Sequence, residues 1–383
     1  MSDALSPHDR DRAALATRGF FLLVGVGAST WAAMVPLAKA RLALDEAQLG
    51  LALVCIGIGS VVAMPIAGFL THRYGNRRIM VLSGLAVCGA LPLLAIAPSV
   101  IALGATLAVF GGALGVLDVA MNAHAVDVER LAGRPLMSGF HGIYSLGGLV
   151  GSAVMIGLLG TGAPPLACTL AVAVALLAVV ATQRGQLITT AAPPAASTRA
   201  LFVRPPAIAF LVGGLCFVVF LAEGAMLDWS AVFLRGERGI SIERASLGYA
   251  AFSIAMATGR LLGDRITAAL GPVTIVRAGG LVAAAGFVLA TALPWQATSL
   301  IGFVLVGLGA SNIVPVLFSA AGRMSGPSVG MSLATVTALG YAGILAGPAA
   351  IGFVAHATSL PRALGGIAVL LLGVAICAPI VRR

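Results

Sequence analysis

Charge is what this sequence has least of. Charged residues fill 9% of its 383 positions and the hydrophobic set fills 60%, whereas a soluble domain carries about 25% charged residues. A chain of this length cannot hide that much apolar surface in a globular core, so a soluble fold is excluded. Lysine is nearly missing as well: Lys39 stands alone, and the net charge of +10 is arginine charge. The arginines sit in short gaps between apolar runs. They read as topology determinants and contacts for anionic lipid headgroups, not as a nucleic-acid surface. The five cysteines, Cys55, Cys88, Cys168, Cys216 and Cys377, each lie inside an apolar run. Their spacing fits neither a disulfide framework nor a metal site. There is no Ser–His–Asp set, zinc cluster or nucleotide signature, so neither an enzyme nor a cofactor is expected. The Gly-rich stretch Ser145–Gly151 lacks the strand and the lysine of a phosphate loop, and reads as small residues for close helix crossing. Residues 1–18 hold no apolar segment ahead of a cleavage site, so no signal peptide is expected.

Long apolar runs are abundant. Crossing a hydrocarbon core takes about 20 residues. Twelve runs reach that length, at about 19–38, 49–70, 79–97, 100–126, 136–160, 164–182, 206–234, 246–266, 275–293, 297–321, 329–355 and 361–381. They do not alternate as the strands of a membrane barrel do. With the N-terminus inside, Lys39, Arg41, Arg235, Arg238, Arg244 and Arg362 fall outside, and the other 17 of the 23 basic residues fall inside. That split predicts both termini on the cytoplasmic side. The longest break, 183–205, is rich in Pro, Ala, Ser and Thr. The expected organisation is a tail at 1–18, a six-helix bundle at 19–183, a linker at 184–205 and a second bundle at 206–383.

The two halves repeat. Residues 30–50 align with 228–248 without a gap, setting Trp31 on Trp229, Ala33 on Ala231, Ala47 on Ala245, Leu49 on Leu247 and Gly50 on Gly248. In a register two residues shorter, Gly84 meets Gly280, Pro98 meets Pro294 and Gly151 meets Gly347. Parallel repeats of six spans with a site near the bilayer midplane are a transporter architecture.

The stretch Gly115–Gly151 concentrates polar residues at membrane depth: Asp118, Asn122 and His124 on one run, His141, Tyr144 and Ser145 on the next. A carboxylate inside a bilayer costs a few kcal/mol or more and marks an ion or substrate path. Counted from the turn near Leu131, Asp118 and Tyr144 share a depth about 20 Å away, and Asn122 and His141 share one about a turn nearer. Asp118 therefore reads as a proton and substrate site, with Asn122 and His141 as hydrogen-bond partners. The competing reading is a fixed polar lock between helices. His124 reads as an interfacial residue. Glu223, followed by Gly224, is a second proton-site candidate. Asp228 reads as an outer gate or an anchor, beside Trp229. Trp31 reads as an interface-belt or substrate residue. Asn312, ahead of Pro315, Tyr341 and Thr337 are further hydrogen-bonding candidates for a neutral polar substrate. Asp127, Glu129 and Arg130, with Arg134, form a gate or a solvated turn, and Arg260 and Asp264 read as an i, i+4 ion pair.

Twelve spans in parallel halves resemble the major facilitator superfamily. The loop Gly68–Arg78, GFLTHRYGNRR, is similar to that family's Gly-x-Leu-Ala-Asp-Arg-x-Gly-Arg-Arg signature at Gly68, Leu70, Arg73, Gly75, Arg77 and Arg78, with His72 in place of the aspartate. Gly259–Arg265 is the matching loop of the second half and supplies Asp264 and Arg265. The run LDVAMN, Leu117–Asn122, resembles the fourth helix of fucose–proton symporters, and the longer run through Gly148 resembles bacterial transporters related to those associated with rhizopine. The resemblance implies an all-α membrane protein in which twelve transmembrane helices form two pseudo-symmetric six-helix bundles. It implies a proton-coupled carrier in a bacterial inner membrane, with Asp118 matching the acid that takes the proton; the first span lacks the acidic residue of the fucose symporters, so sugar identity is not carried over. One coupling acid among amide and hydroxyl groups suits a small polar organic solute, sugar- or polyol-like, and the residues read as gating are Arg73, Arg77, Asp127, Glu129, Arg130, Asp228, Arg260 and Asp264. The expected partners are a small-molecule substrate, protons and the lipid bilayer, with no nucleic acid; a monomer is expected. Proton-driven efflux of drugs or amphipathic metabolites stays open, as does a transport-inactive membrane sensor or scaffold.

Overall fold

The computed structural model describes residues 7–189, 205–241, 247–324 and 329–382. Every regular element among the described residues is helical. The first half supplies α1 (Pro7–Arg41), α2 (Glu46–Tyr74), α3 (Asn76–Ile96), α4 (Val100–Ala132), α5 (Met137–Gly160) and α6 (Pro165–Gln183). The second half supplies α7 (Ala207–Arg238), α8 (Leu247–Leu270), α9 (Pro272–Ala292), α10 (Gln296–Ala310), α11 (Ile313–Arg323), α12 (Val329–Ala357) and α13 (Leu360–Ile376), and ends in a 3₁₀ turn, Ala378–Arg382. With α10 and α11 counted as one run, 11 of these are long and apolar enough to cross a membrane. The twelfth, α8, carries Arg260, Asp264 and Arg265 in its C-terminal half. The fold is an all-α membrane fold of twelve spans in two six-helix bundles.

Local chemistry sets the helix ends. Asp45 accepts the Gln48 N–H at 2.8 Å while the Gln48 side chain accepts the Asp45 N–H at 3.3 Å, a capping box at the start of α2. Ser99 caps α4 and Ser359 caps α13 in the simpler way. Between α2 and α3 the chain turns at Gly75 with φ 81°, and between α8 and α9 it turns at Gly271 with φ 76°. Both positions need the left-handed freedom of glycine, and both N–H groups return to the preceding helix, to Thr71 O and Thr267 O at 2.9 Å.

The chain forms two compact units. One holds the described residues of Met1–Gly133, Ile143–Arg204 and Pro327–Ala334, and the other those of Arg134–Gly142, Pro205–Gly326 and Thr335–Arg383. Within the first, α2 packs on α4, α3 on α4 and α6, and α1 on α4 and α6. Within the second, α8 packs on α10, α9 on α10 and α13, and α7 on α11 and α13. Each pairing in one unit has its counterpart in the other. Helix association in lipid rests on close van der Waals contact at small residues, and the repeat keeps those residues. A Cβ on Gly111 would strike the Ile56 carbonyl oxygen, and a Cβ on Gly307 would strike that of Phe252. These are equivalent pairs in the register that sets Gly75 on Gly271.

Two expectations change. Residues 7–18, read as part of a tail, belong to α1; Ala13, Ala14, Ala16 and Thr17 are buried, so this stretch extends the first span as a packed helix. The tenth run, read as continuous, breaks at Ser311–Asn312. Pro315 has no N–H to give the Ser311 carbonyl four residues back, and the helix parts there. Of the linker, 190–204 lies outside the described residues, as do Arg244 and Ala245 of the outer loop and repeat.

Candidate proton and substrate site

In the first unit the polar face of α4 is built as its spacing predicts. Asp118 is 8% exposed and Asn122 is fully buried. The Asn122 amide turns back one turn and donates to the Asp118 backbone carbonyl at 2.8 Å. No ion pair to Asp118 occurs among the described residues. Close packing fixes this part of α4: a Cβ on Gly115 would stand 2.8 Å from the Ser60 carbonyl oxygen. Ser60 itself donates to Gly111 O at 2.7 Å.

His124 is not interfacial. It is 1% exposed, and its Nε2 accepts the Ile188 N–H at 2.9 Å. The remaining proton of the neutral ring therefore lies on Nδ1 and is donated to Thr17 Oγ1 at 3.0 Å, and Thr17 passes its own proton to Ala13 O at 2.8 Å. The ring lies on the buried side of α4, so its polar atoms must be met from within the protein. The result ties residues just after α6 to α1. Arg77, read as gating, reaches the same segment, donating to Thr189 Oγ1 at 3.2 Å. Arg73 donates to the hydroxyl of its neighbour Tyr74 at 3.2 Å. Asp127 pairs with Arg130 one turn on, with Arg130 largely in solvent. Trp31 is buried, not in a surface belt, and its indole N–H has no hydrogen-bond partner among the described residues.

In the second unit the acid has a partner. Both oxygens of Glu223 accept from Arg260 Nη2, at 3.0 and 3.3 Å. Arg260 Nε donates to the Ser311 carbonyl at 3.3 Å. That is the carbonyl left without its helical donor by Pro315, so the arginine fills a gap the proline opens. Sequence spacing paired Arg260 with Asp264; in the structure Arg260 goes across to α7. Asp264 Oδ2 accepts the Gly139 N–H at 3.0 Å, at the N-terminus of α5, where the positive end of the helix dipole favours its charge.

Asn312, at the break, donates to Gly259 O at 3.0 Å and Ser311 Oγ at 2.9 Å. Its amide oxygen lies against Gly263, where a Cβ would collide with it, and has no hydrogen-bond partner among the described residues. His141 belongs to this unit and stacks on Phe318 with ring centres 5.7 Å apart. Tyr341 stands edge-on to Phe220 at 5.9 Å. Thr337 is fully buried, Tyr144 is half-buried, and Asp228 is exposed.

Two residues assigned only to topology have a structural task. Arg41 donates to Ala97 O at 2.6 Å and Leu94 O at 3.2 Å, the open carbonyls at the end of α3. Arg238 does the same at the end of α9, reaching Ala290 O at 2.8 Å and Thr291 O at 3.3 Å, and it adds Ser299 Oγ at 2.9 Å. A guanidinium at a helix C-terminus meets both unpaired carbonyls and the negative end of the dipole. The signal was available: each arginine stands at the end of the first helix of its half.

Known proteins match along nearly the whole length. Over 369 residues, 96% of each chain, the sequence is 47% identical to an uncharacterized MFS-type transporter of Yersinia pestis. It is 32% identical to the membrane protein MosC of Rhizobium meliloti over 344 residues, 90% of this chain and 84% of that one. The fold is similar to that of the transporter FucP crystallised in its outward conformation, with a TM-score of 0.79 at 15% identity, covering 96% of this chain and 97% of that one. Residues 19–241 match the model of the Major Facilitator Superfamily. The chain therefore belongs to the Major Facilitator Superfamily of membrane transporters.

Proposed function

We propose that this transporter moves a small polar organic solute, sugar- or polyol-like, by alternating access, and that it is driven by protons through Asp118. The observation that carries this is a carboxyl group buried on α4 with an amide beside it and no cation paired to it among the described residues. Taking a carboxylate out of water disfavours its charged form. An acid held that way without a cation gains or loses its proton as water reaches it or leaves it. Asn122, His141, Tyr144, Asn312, Tyr341 and Trp31 supply hydrogen-bonding groups for a solute rich in hydroxyls, and Glu223 is the second acid of the coupling. Arg73, Arg77, Asp127, Glu129, Arg130, Asp228, Arg260 and Asp264 are the gating set. The 17-to-6 division of basic residues supports both termini on the cytoplasmic face of a bacterial inner membrane, and the chain works as a monomer.

Proteoliposomes test the coupling. Asp118→Asn is expected to abolish uptake driven by a pH gradient and to leave counterflow exchange intact. Wild-type rates of pH-driven uptake by that variant would remove Asp118 from the mechanism.

A further inference from the structure

The turn between α2 and α3 gathers positive charge with no acid paired to it among the described residues. His72 and Arg73 fall in the last turn of α2, and Arg77 and Arg78 in the first turn of α3. No Asp or Glu occurs between Glu46, at the far end of α2, and Asp118. Position 72, which is an aspartate in the family's signature, is a histidine here. Arg73 turns to its neighbour Tyr74, whose hydroxyl accepts from Nε at 3.2 Å and whose ring centre lies 5.5 Å from the guanidinium. Arg77 donates to Thr189. Among the described residues none of the three arginines pairs with an acid, Asp9 and Asp11 at the start of α1 included. We propose that this turn binds an anionic phospholipid of the adjoining leaflet, whose phosphate supplies the negative charge the turn lacks.

The surroundings favour a lipid over a soluble anion. The outward face of α2 runs through Ile58, Val62 and Ile66, all exposed, and reaches Arg73 two turns after Ile66. The outward face of α3 begins at Arg78 and continues one and two turns on with Leu82 and Leu85, also exposed. Residues four and seven apart share a helix face. In a membrane fold both guanidiniums therefore end a lipid-facing stripe. Tyr74, exposed beside Arg73, is the kind of residue found where such a stripe meets water. Acyl chains fit the apolar stripes, and a phosphate fits the arginines, whose planar donors suit paired hydrogen bonds to its oxygens.

The second half makes the same turn without this charge. In the register that sets Gly75 on Gly271, Ala268, Ala269, Val273 and Thr274 stand for His72, Arg73, Arg77 and Arg78. The backbone turn thus does not need the arginines. Like charges held together repel one another and destabilise the folded state, and a bound phosphate offsets that repulsion.

Thermal melts of the full-length protein in detergent, at constant ionic strength, test this with three probes. Phosphatidylglycerol carries a net negative charge, phosphatidylcholine carries none, and inorganic phosphate has no acyl chains. Phosphatidylglycerol is expected to raise the wild-type melting temperature several degrees more than phosphatidylcholine does, with no comparable shift from inorganic phosphate. Arg73→Gln with Arg78→Gln is expected to abolish the difference between the lipids. His72→Asp keeps both arginines and places an acid in the turn. It is expected to reduce the difference by half or more, and it carries the test should the double variant fail to fold. Arg134→Gln with Arg277→Gln removes the same charge from exposed positions elsewhere and is expected to leave the difference intact. An equal wild-type response to the two lipids overturns the proposal, as does an equal shift with inorganic phosphate. A difference undiminished in either turn variant, or lost equally in the Arg134 and Arg277 variant, overturns it too. None of these outcomes touches the proton role of Asp118, which fails only on the uptake assay above.

Discussion

The fourth span of the first half and its counterpart in the second half solve the same problem in opposite ways. α4 runs unbroken from Val100 to Ala132 and carries its acid, Asp118, with an amide beside it and no cation paired to it among the described residues. The counterpart parts into α10 and α11 at Ser311–Asn312, and the nearby acid, Glu223, is neutralised by Arg260. The repeat makes the exchange explicit. In the register that sets Gly75 on Gly271, Val119 of α4 stands where the second half has Pro315, Met64 stands where it has Arg260, and Val314 stands where the first half has Asp118. In the Trp31–Trp229 register Glu223 falls on Gly25. One ancestral helix packing, still visible in the paired glycines 111 and 307, supports a lone titratable group on one side and a charge-balanced hinge on the other. The lesson is that symmetry here fixes the backbone contacts and leaves the polar interior free to diverge.

The sharpest way to break this contrast is to remove one charge from each half. Arg260→Gln strands a half-buried carboxylate and an unmet backbone carbonyl. Breaking a buried pair in this way costs about 3–5 kcal/mol, so a large fall in the melting temperature of the purified protein is expected, with much of it recovered when Glu223→Gln is added. Asp118→Asn breaks no ion pair among the described residues and is expected to change stability by less than about 1 kcal/mol, while abolishing pH-driven uptake. Equal destabilisation by the two single variants would mean that Asp118 is a structural lock and the halves are not specialised.

How much of this could be read beforehand follows from which physics was involved. The spans, the repeat and the polar content of α4 depend on hydropathy and on spacing along one helix, and Asp118 and Asn122 lie where that spacing put them. Partners across helices were less legible. Arg260 has Asp264 four residues away and Glu223 on another element, and nothing in the sequence ranks a local pair above a distant one. The break at Ser311–Asn312 was signalled by Pro315, but a proline in a membrane span bends a helix in some contexts and parts it in others. His124 misled because polar residues near a span end are mostly interfacial. Its burial depends on α1 continuing back to Pro7, which no apolar run announces.

A smaller effect separates the two arginines that close the third helix of each half. Arg238 holds two carbonyls and a hydroxyl and lies 4.6 Å from the Phe233 ring centre, whereas Arg41 holds two carbonyls. Hydrogen bonds from a charged group contribute about 1.5–3 kcal/mol where buried. Both sites are partly open, so Arg238→Ala is expected to lower stability by about 2 kcal/mol and Arg41→Ala by about 1. Thermal melts of the two variants side by side measure the difference. The reverse order would show that the caps are not equivalent members of one repeated device.

The least perturbing change is the most informative about the hinge. Pro315→Ala returns an N–H at the position from which the Ser311 carbonyl can be bonded, and alanine favours helix over proline by about 3 kcal/mol at an interior site. Arg260 already satisfies that carbonyl, and Asn312 holds the break to Gly259, so most of that gain is offset and stability is expected to rise only slightly. Transport is expected to respond more. A helix joined through Ser311 competes with Arg260 for the same oxygen and loses the point at which α10 and α11 can turn separately. The expected result is slower uptake with an unchanged or slightly raised melting temperature. The matching change in the first half, Val119→Pro, places a break beside Asp118, and among the described residues no arginine is bonded to the Gly115 carbonyl that it frees. That variant is expected to lose stability outright. If instead both substitutions leave transport and melting unaltered, the break at Ser311–Asn312 is an accident of sequence and not a working part of the second half.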